Sequence, residues 1–140
     1  MPGDPVFLDS NGWLAILNAS DSLHKQADLE WRKIGEQRRP IVLTDWVVAE
    51  TGNCLARCRG RNLFAGAVER LATGPLGQLV FVEDDLLRRA LTLYSSRPDK
   101  TWSLTDCASF VLMKEKGIRD AFTTDRHFFQ AGFKCLLSMA

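Results

Sequence analysis

The sequence predicts an α/β fold built on a parallel sheet of about five strands. Short apolar runs rich in β-branched and aromatic residues alternate with longer stretches of helical period, the pattern of βαβ units. Some of those runs also lead into a carboxylate, as in Val-Phe-Leu-Asp9 and Ala-Phe-Thr-Thr-Asp125. The carboxyl ends of parallel strands are where an open sheet gathers groups distant in sequence into one crevice. With 140 residues, the chain has the length of one ordinary domain, expected to span 1–140 and to bury about two thirds of its unfolded surface.

The first strand is expected near Val6 to Leu8, running into a polar turn at Asp9-Ser10-Asn11-Gly12. Before the second strand, near Ile41 to Leu43, the residues Ala27, Trp31 and Ile34 recur at i, i+4, i+7. Lys25, Glu30 and Lys33 occupy the other side, which makes an amphipathic helix to pack on the sheet. A helix from about Trp46 through Arg57 carries Glu50 on its first turns, and another from about Asn62 to Ala72 stops at Gly74-Pro75. A third strand near Leu79 to Val82 leads into Glu83, Asp84 and Asp85. These acids complement the dipole of a helix patterned by Leu86, Leu87, Ala90, Leu91 and Tyr94, so they read as caps; Arg97-Pro98 ends that helix. Ser103-Leu-Thr-Asp106 has capping-box spacing ahead of a helix from Cys107 to Lys116, with Gly117 just past its end. The last two strands fall near Ala121 to Thr123 and Lys134 to Leu137.

Composition narrows the function. A hydrophobic fraction of 46% and a charged fraction of 25% suit a globular protein. No apolar run approaches the roughly 20 residues of a membrane span, and Met-Pro-Gly-Asp is not the basic start of a signal peptide. A cytoplasmic protein without membrane association is expected. Lys and Arg total 18 against 17 Asp and Glu, so any attraction to nucleic acid must be local. Cys54, Cys58, Cys107 and Cys135 lack CxxC spacing and read as reduced thiols. Cys54 and Cys58, at i, i+4, could hold half a zinc site, but no second pair has ligand spacing.

Four carboxylates stand out: Asp9, Glu50, Asp106 and Asp125, each at or just beyond an apolar stretch. Singly, Asp9 and Asp106 read equally well as helix caps and Asp125 as a turn residue. Glu50 lies amid Val47, Val48 and Ala49, where an unpaired charge is costly, so it needs a partner. Their shared placement suggests one site. Two such anions about 5 Å apart at an effective dielectric of about 20 repel by roughly 3 kcal/mol, so a cluster must take up protons or bind a cation, and a hard divalent ion suits oxygen donors.

The segments Leu8-Asp9-Ser10-Asn11, Val48-Ala49-Glu50, Trp102-Ser103-Leu104-Thr105-Asp106-Cys107 and Thr123-Thr124-Asp125-Arg126-His127-Phe128 together resemble the PIN domain, including ribonuclease toxins of VapC type. The closing Phe128-Phe129-Gln130-Ala131-Gly132-Phe133 also resembles the end of small stand-alone members, so the resemblance spans nearly the whole chain. It implies a three-layer α/β/α sandwich with a central, mainly parallel sheet. It also implies an acidic pocket that binds Mg²⁺ or Mn²⁺ and hydrolyses single-stranded RNA or structured RNA loops, leaving a 5′-phosphate and a 3′-hydroxyl.

Position by position, Asp9, Glu50, Asp106 and Asp125 match the family's acidic quartet as catalytic, metal-holding groups. Asn11 and Thr123 match polar residues that orient the carboxylates, with Ser10 and Thr105 as weaker companions. Arg57, Arg59, Arg61, Arg97, Lys100, Arg126 and His127 flank these segments and could touch phosphates, and Trp46 and Trp102 could stack on bases although packing is the commoner role. His24 and His127 are not required as ligands. As a toxin of a type II toxin-antitoxin pair, such a protein would meet a cognate antitoxin, and the resemblance suggests a homodimer. A haloacid-dehalogenase-type phosphatase would want a second acid where Asn11 stands, and a receiver-like phosphoacceptor an acidic pair beside the first strand. A PIN-like scaffold that binds RNA or protein without cutting is the non-enzymatic alternative, against which the intact acids argue.

Overall fold

A computed structural model describes residues 3–139. Five strands, β1 (Val6–Leu8), β2 (Ile41–Thr44), β3 (Gly77–Val80), β4 (Asp120–Phe122) and β5 (Lys134–Cys135), pair in parallel throughout, in the order β3-β2-β1-β4-β5. Among the described residues seven helices connect them: α1 (Ser10–Leu17), α2 (His24–Glu36), α3 (Asp45–Leu55), α4 (Arg61–Thr73), α5 (Asp84–Ser96), α6 (Leu104–Lys116) and α7 (Arg126–Gln130). Helix α1 packs on α2 and α3, and α3 on α4, while α5 and α7 pack on α6, so two helical layers enclose the sheet as a three-layer α/β/α sandwich. Helices on both faces explain why β1 and β2 are buried along their whole length and, except for Thr44, apolar, with no alternation. Strands β3 and β5 form the edges and are more exposed. Among the described residues, no helix is long and apolar enough to cross a membrane.

The strand order fixes where chemistry can occur. From β1 the chain steps to β2 and then β3 on one side, then crosses to β4 on the other, so the order reverses between β1 and β4. A crevice opens at such a switch point, outside the carboxyl ends of the strands. Register sets Leu8 opposite Phe122, so the next residues, Asp9 and Thr123, enter that crevice side by side.

Where sequence and structure differ, local sterics and packing account for it. The expected turn after Leu8 is instead the start of α1, because Asp9 adopts an extended N-cap conformation and its carbonyl accepts from Trp13 N at 3.0 Å. The periodicity is hidden because Ser10 and Asn11 turn polar groups toward the crevice and Gly12 carries no side chain, while Trp13 and Ala15 enter the core. Helix α7 follows the same logic: Asp125 caps it by accepting from His127 N at 2.9 Å. Strand β3 lies two residues earlier than expected, since Val82 N leaves the ladder to donate to Asp45 Oδ1 at 2.7 Å. Strand β5 shrinks to two residues, because Leu136 and Leu137 bond to Ala121 and Thr123 as an irregular continuation. Helix α3 ends at Leu55, short of Arg57.

Aromatic packing ties the layers together. Phe110 packs edge-on to both Trp102 and Phe128, with centroids 5.1 and 4.9 Å apart, while Trp31 meets Phe122 at 5.4 Å and Trp13 meets Phe64 at 5.1 Å. At the opposite end of the sheet from the crevice, Arg39 Nη2 holds Asp120 Oδ2 at 2.5 Å, joining the chain before β2 to β4. The close approach of α1 to β4 depends on Gly12, where a Cβ would stand 2.0 Å from the carbonyl oxygen of Phe122. Any side chain there must push α1 off the strand and carry Asp9 and Asn11 with it. We therefore expect Gly12→Ala to destabilise the fold by about 3 kcal/mol or more, read by urea denaturation; an unchanged midpoint would show that α1 tolerates displacement.

Candidate metal centre

Each quartet residue reaches the crevice from a different element. Asp9 comes from the end of β1, Glu50 from the second turn of α3, Asp106 from the first turn of α6, and Asp125 from the cap of α7. Local rules put them there. The Thr44 hydroxyl accepts from Val47 N at 3.2 Å, starting α3 so that Glu50 faces α1. Ser103 and Asp106 complete a reciprocal capping box: Ser103 Oγ accepts from Asp106 N at 3.0 Å, and Asp106 Oδ2 accepts from Ser103 N at 3.1 Å. The capping reading of Asp106 is thus correct and compatible with a second role, because a carboxylate offers about four acceptor positions.

Neighbouring polar groups fix the orientation of these acids. The buried Thr123 Oγ1 stands 2.8 Å from Asp9 Oδ2 and 2.7 Å from Asn11 Oδ1, its one proton directed between two acceptors, and itself accepts from Asp125 N at 3.0 Å. Asn11 bonds on two sides to the strand end: Oδ1 accepts from Thr124 N at 3.1 Å and Nδ2 donates to Thr124 Oγ1 at 2.8 Å. Ser10 donates to Glu50 Oε1, the partner that Glu50 required. No buried side-chain nitrogen or oxygen among the described residues lacks a hydrogen-bond partner.

His127 joins the cluster more closely than its expected role in phosphate contact. Its Nδ1 lies 3.1 Å from Asp106 Oδ2 and 3.5 Å from Asp125 Oδ1, while Nε2 lies 3.2 Å from Thr101 Oγ1. An ionised carboxylate only accepts, so Nδ1 carries a proton directed at Asp106. The sequence signal for this contact is the Asp125-Arg126-His127 spacing, which turns the imidazole back over the cap of α7. Ligating atoms of Asp106, Asp125 and His127 all lie within 4.8 Å of one another. Cys135 was also not anticipated; its thiol donates to the Asp125 carbonyl at 3.4 Å.

Other expected site residues stand apart. Thr105 offers its carbonyl to Ser109 Oγ at 3.0 Å, and no hydrogen bond among the described residues uses its hydroxyl. Arg57 and Arg59 lie past the end of α3, and Arg61 opens α4 with Nη1 donating to Ala56 O at 2.9 Å, so none shares a helix with Glu50. Arg97 pairs with Asp99 at 2.9 Å and lies 5.1 Å over Trp102. Trp102 is buried, donating from Nε1 to Gln130 Oε1 at 3.1 Å, so it cannot serve as a base platform; Trp46 likewise packs against the core. Lys100 and Arg126 remain open to solvent, Lys100 in part. His24 is structural, its Nδ1 2.8 Å from Ala15 O, and Cys54 and Cys58 are exposed outside any metal-binding group among the described residues.

The electrostatics of the cluster favour a cation. Asp9 is 5% exposed, and burial pushes its carboxyl from an ordinary 3.8 up to about 7, against the lowering effect of Thr123 and the Ser10 backbone and with added repulsion from Asp106 and Glu50. Burial also raises Asp106, with repulsion from Asp125 adding to it. Protons relieve the crowding when no metal is present. Carboxylate oxygens form a donor set that suits Mg²⁺ or Mn²⁺, so the acids fit such an ion while His127 is held against Asp106.

Without metal, protonation of Asp9 makes stability depend on pH. Between pH 4 and 7 folded Asp9 keeps a proton that the unfolded chain has released, so its contribution to stability falls as pH rises through that window. Asp9→Asn, which still accepts from Thr123, should therefore stabilise the metal-free fold at pH 8 by on the order of 2 to 4 kcal/mol and have little effect at pH 4. Denaturation at both pH values checks this; an equal effect at both would contradict it.

The comparisons with known proteins agree with this geometry. Residues 6–134 match the model of the PIN domain. The 23S rRNA-specific endonuclease VapC20 of Mycobacterium tuberculosis, found in two strains, is 33% identical over 130 residues, covering 91% of this chain and 95% of that protein. The crystal structure of M. tuberculosis VapC20, described as a sarcin-ricin loop cleaving toxin, superposes with a TM-score of 0.79 at 27% identity, covering 91% of this chain and 95% of that one. A match to the domain over residues 6–134, a similar relative and a shared fold all point one way: this chain belongs to the PIN domain family, with VapC-type ribonucleases among its relatives.

Proposed function

We propose that the chain is a metal-dependent endoribonuclease, a single PIN domain over 1–140, and the toxin of a type II toxin-antitoxin pair. The observation that carries this reading is the convergence of acids from separate elements, with ligating atoms of Asp106, Asp125 and His127 within 4.8 Å of one another and buried Asp9 repelled by Asp106 and Glu50 beside them. In this reading Asp9, Glu50, Asp106 and Asp125 hold Mg²⁺ or Mn²⁺. When bound, such an ion activates water and neutralises charge on a phosphate. The remaining work belongs to the protein. Thr123 and Ser10 hold Asp9 and Glu50 in fixed orientations, Asn11 ties α1 to the end of β4, and His127 steadies Asp106 from its Nδ1. Ser10 is committed to Glu50, and no side-chain nucleophile is required. Lys100 and Arg126 bind backbone phosphates, a sequence-independent grip.

The substrate is single-stranded RNA or a structured RNA loop. The relative's 23S rRNA target makes a hairpin carrying the sarcin-ricin loop the first substrate to test, and such a target supports a cytoplasmic location. A cognate antitoxin would insert a cationic side chain against the acids. A homodimer is supported by Leu91 and Tyr94, which lie at i, i+3 on one exposed face of α5.

With that labelled hairpin and Mg²⁺ or Mn²⁺, the protein should cut at a defined position, and EDTA or Asp9→Ala should abolish cleavage; cutting that survives both would overturn the reading. Asp106→Asn keeps a carbonyl oxygen for the Ser103 cap but loses the charge, so it should stay folded and lose more than about a hundredfold in rate, as full activity would not allow. Thr123→Val should weaken metal affinity by about 10- to 100-fold, measured by titration calorimetry; unchanged affinity would remove Thr123 from the positioning role.

A further inference from the structure

The ribonuclease reading leaves open how the RNA strand is seated, and α7 offers an answer that rests on that reading. Successive residues on this helix have opposite fates: Phe128 is fully buried, whereas Phe129 is 73% exposed. The Phe129 ring belongs to no aromatic pair among the described residues. A large ring kept in water forgoes burial that its neighbour gains.

Its surroundings select the occupant. Phe129 lines an open groove of about 540 Å³ along the β5 edge together with Thr124, Arg126 and Lys134. Arg126 and Phe129 lie at i, i+3 and so share one face of α7. Neither Arg126 nor Lys134 enters an ion pair among the described residues, in contrast to Arg89 and Arg97 around the groove between α5 and α6. The groove also adjoins the acid pocket, because Thr124 accepts from Asn11 and Asp125 is the next residue. An unpaired aromatic face between two unmatched cations, beside a phosphate-cutting site, complements a polyanion with planar bases.

We propose that Phe129 is a stacking platform for an unpaired base next to the scissile phosphate, with Arg126 and Lys134 binding the flanking phosphates. The platform positions substrate and takes no part in the chemistry.

The test uses single-turnover cleavage of the labelled sarcin-ricin hairpin by wild type, Phe129→Ala and Phe129→Tyr, with Mn²⁺. Phe129→Ala should raise the half-saturating protein concentration at least about fivefold, with the rate at saturation within about twofold, and Phe129→Tyr should restore binding. Melting temperature should not change, given the exposure of the ring. Replacing single nucleotides beside the cut with abasic ones should reveal one position that weakens wild type but not Phe129→Ala. Wild-type behaviour of Phe129→Ala, or equal weakening of both proteins at every abasic position, would overturn the platform while leaving the ribonuclease reading intact. Lost antitoxin affinity with unaltered RNA kinetics would also overturn it and assign the groove to a protein. If wild type neither binds nor cuts RNA, both readings fall.

Discussion

Repulsion among carboxylates gathered in a partly buried crevice is the constraint that the rest of this structure answers. A PIN fold brings Asp9, Glu50, Asp106 and Asp125 from four elements to one edge of the sheet, and Asp9 has almost no access to water. Unpaired, such charges would cost several kcal/mol each. The chain surrounds them with hydroxyl, backbone N–H and imidazole donors in place of Arg or Lys. The choice has a chemical consequence. A guanidinium would neutralise the site permanently, whereas Ser10, Thr123 and His127 hold the oxygens in place and leave the excess negative charge for a cation to meet.

The scaffold makes this arrangement possible through a few contacts far from the acids in sequence. Strand order sets the switch point at β1 and β4, register sets Asp9 beside Thr123, and Gly12 lets α1 lie against the Phe122 carbonyl so that Asn11 reaches Thr124. Each is a packing decision with a direct effect on the site. The aromatic cluster of Trp102, Phe110 and Phe128 holds α6 and α7 together, and these two helices carry Asp106, Asp125 and His127.

Much of this was legible in the sequence. Strand-end acids and the capping box around Ser103 and Asp106 follow from local rules, and resemblance supplied the quartet and the layered sheet. What stayed hidden had physical causes. Helices α1 and α7 are short and begin directly on a strand-end acid, so their polar first turns read as loops. Contacts spanning more than a hundred residues, such as Asn11 to Thr124, leave no local trace. Spacing reads His127 as a phosphate contact because it does not reveal that a cap turns its ring inward, whereas packing, the commoner role expected for Trp102, is the one its buried indole takes.

The central claim is that these acids act as one cation-binding unit whose cost without metal is borne by protonation of Asp9. Calorimetric titration of Mn²⁺ at pH 6.5, in buffers of different ionisation enthalpy, tests it most directly. The account predicts saturable binding that releases protons, because ligation needs Asp9 ionised, with both binding and release lost in Asp9→Asn. Saturable binding with no proton release that persists in Asp9→Asn would contradict it.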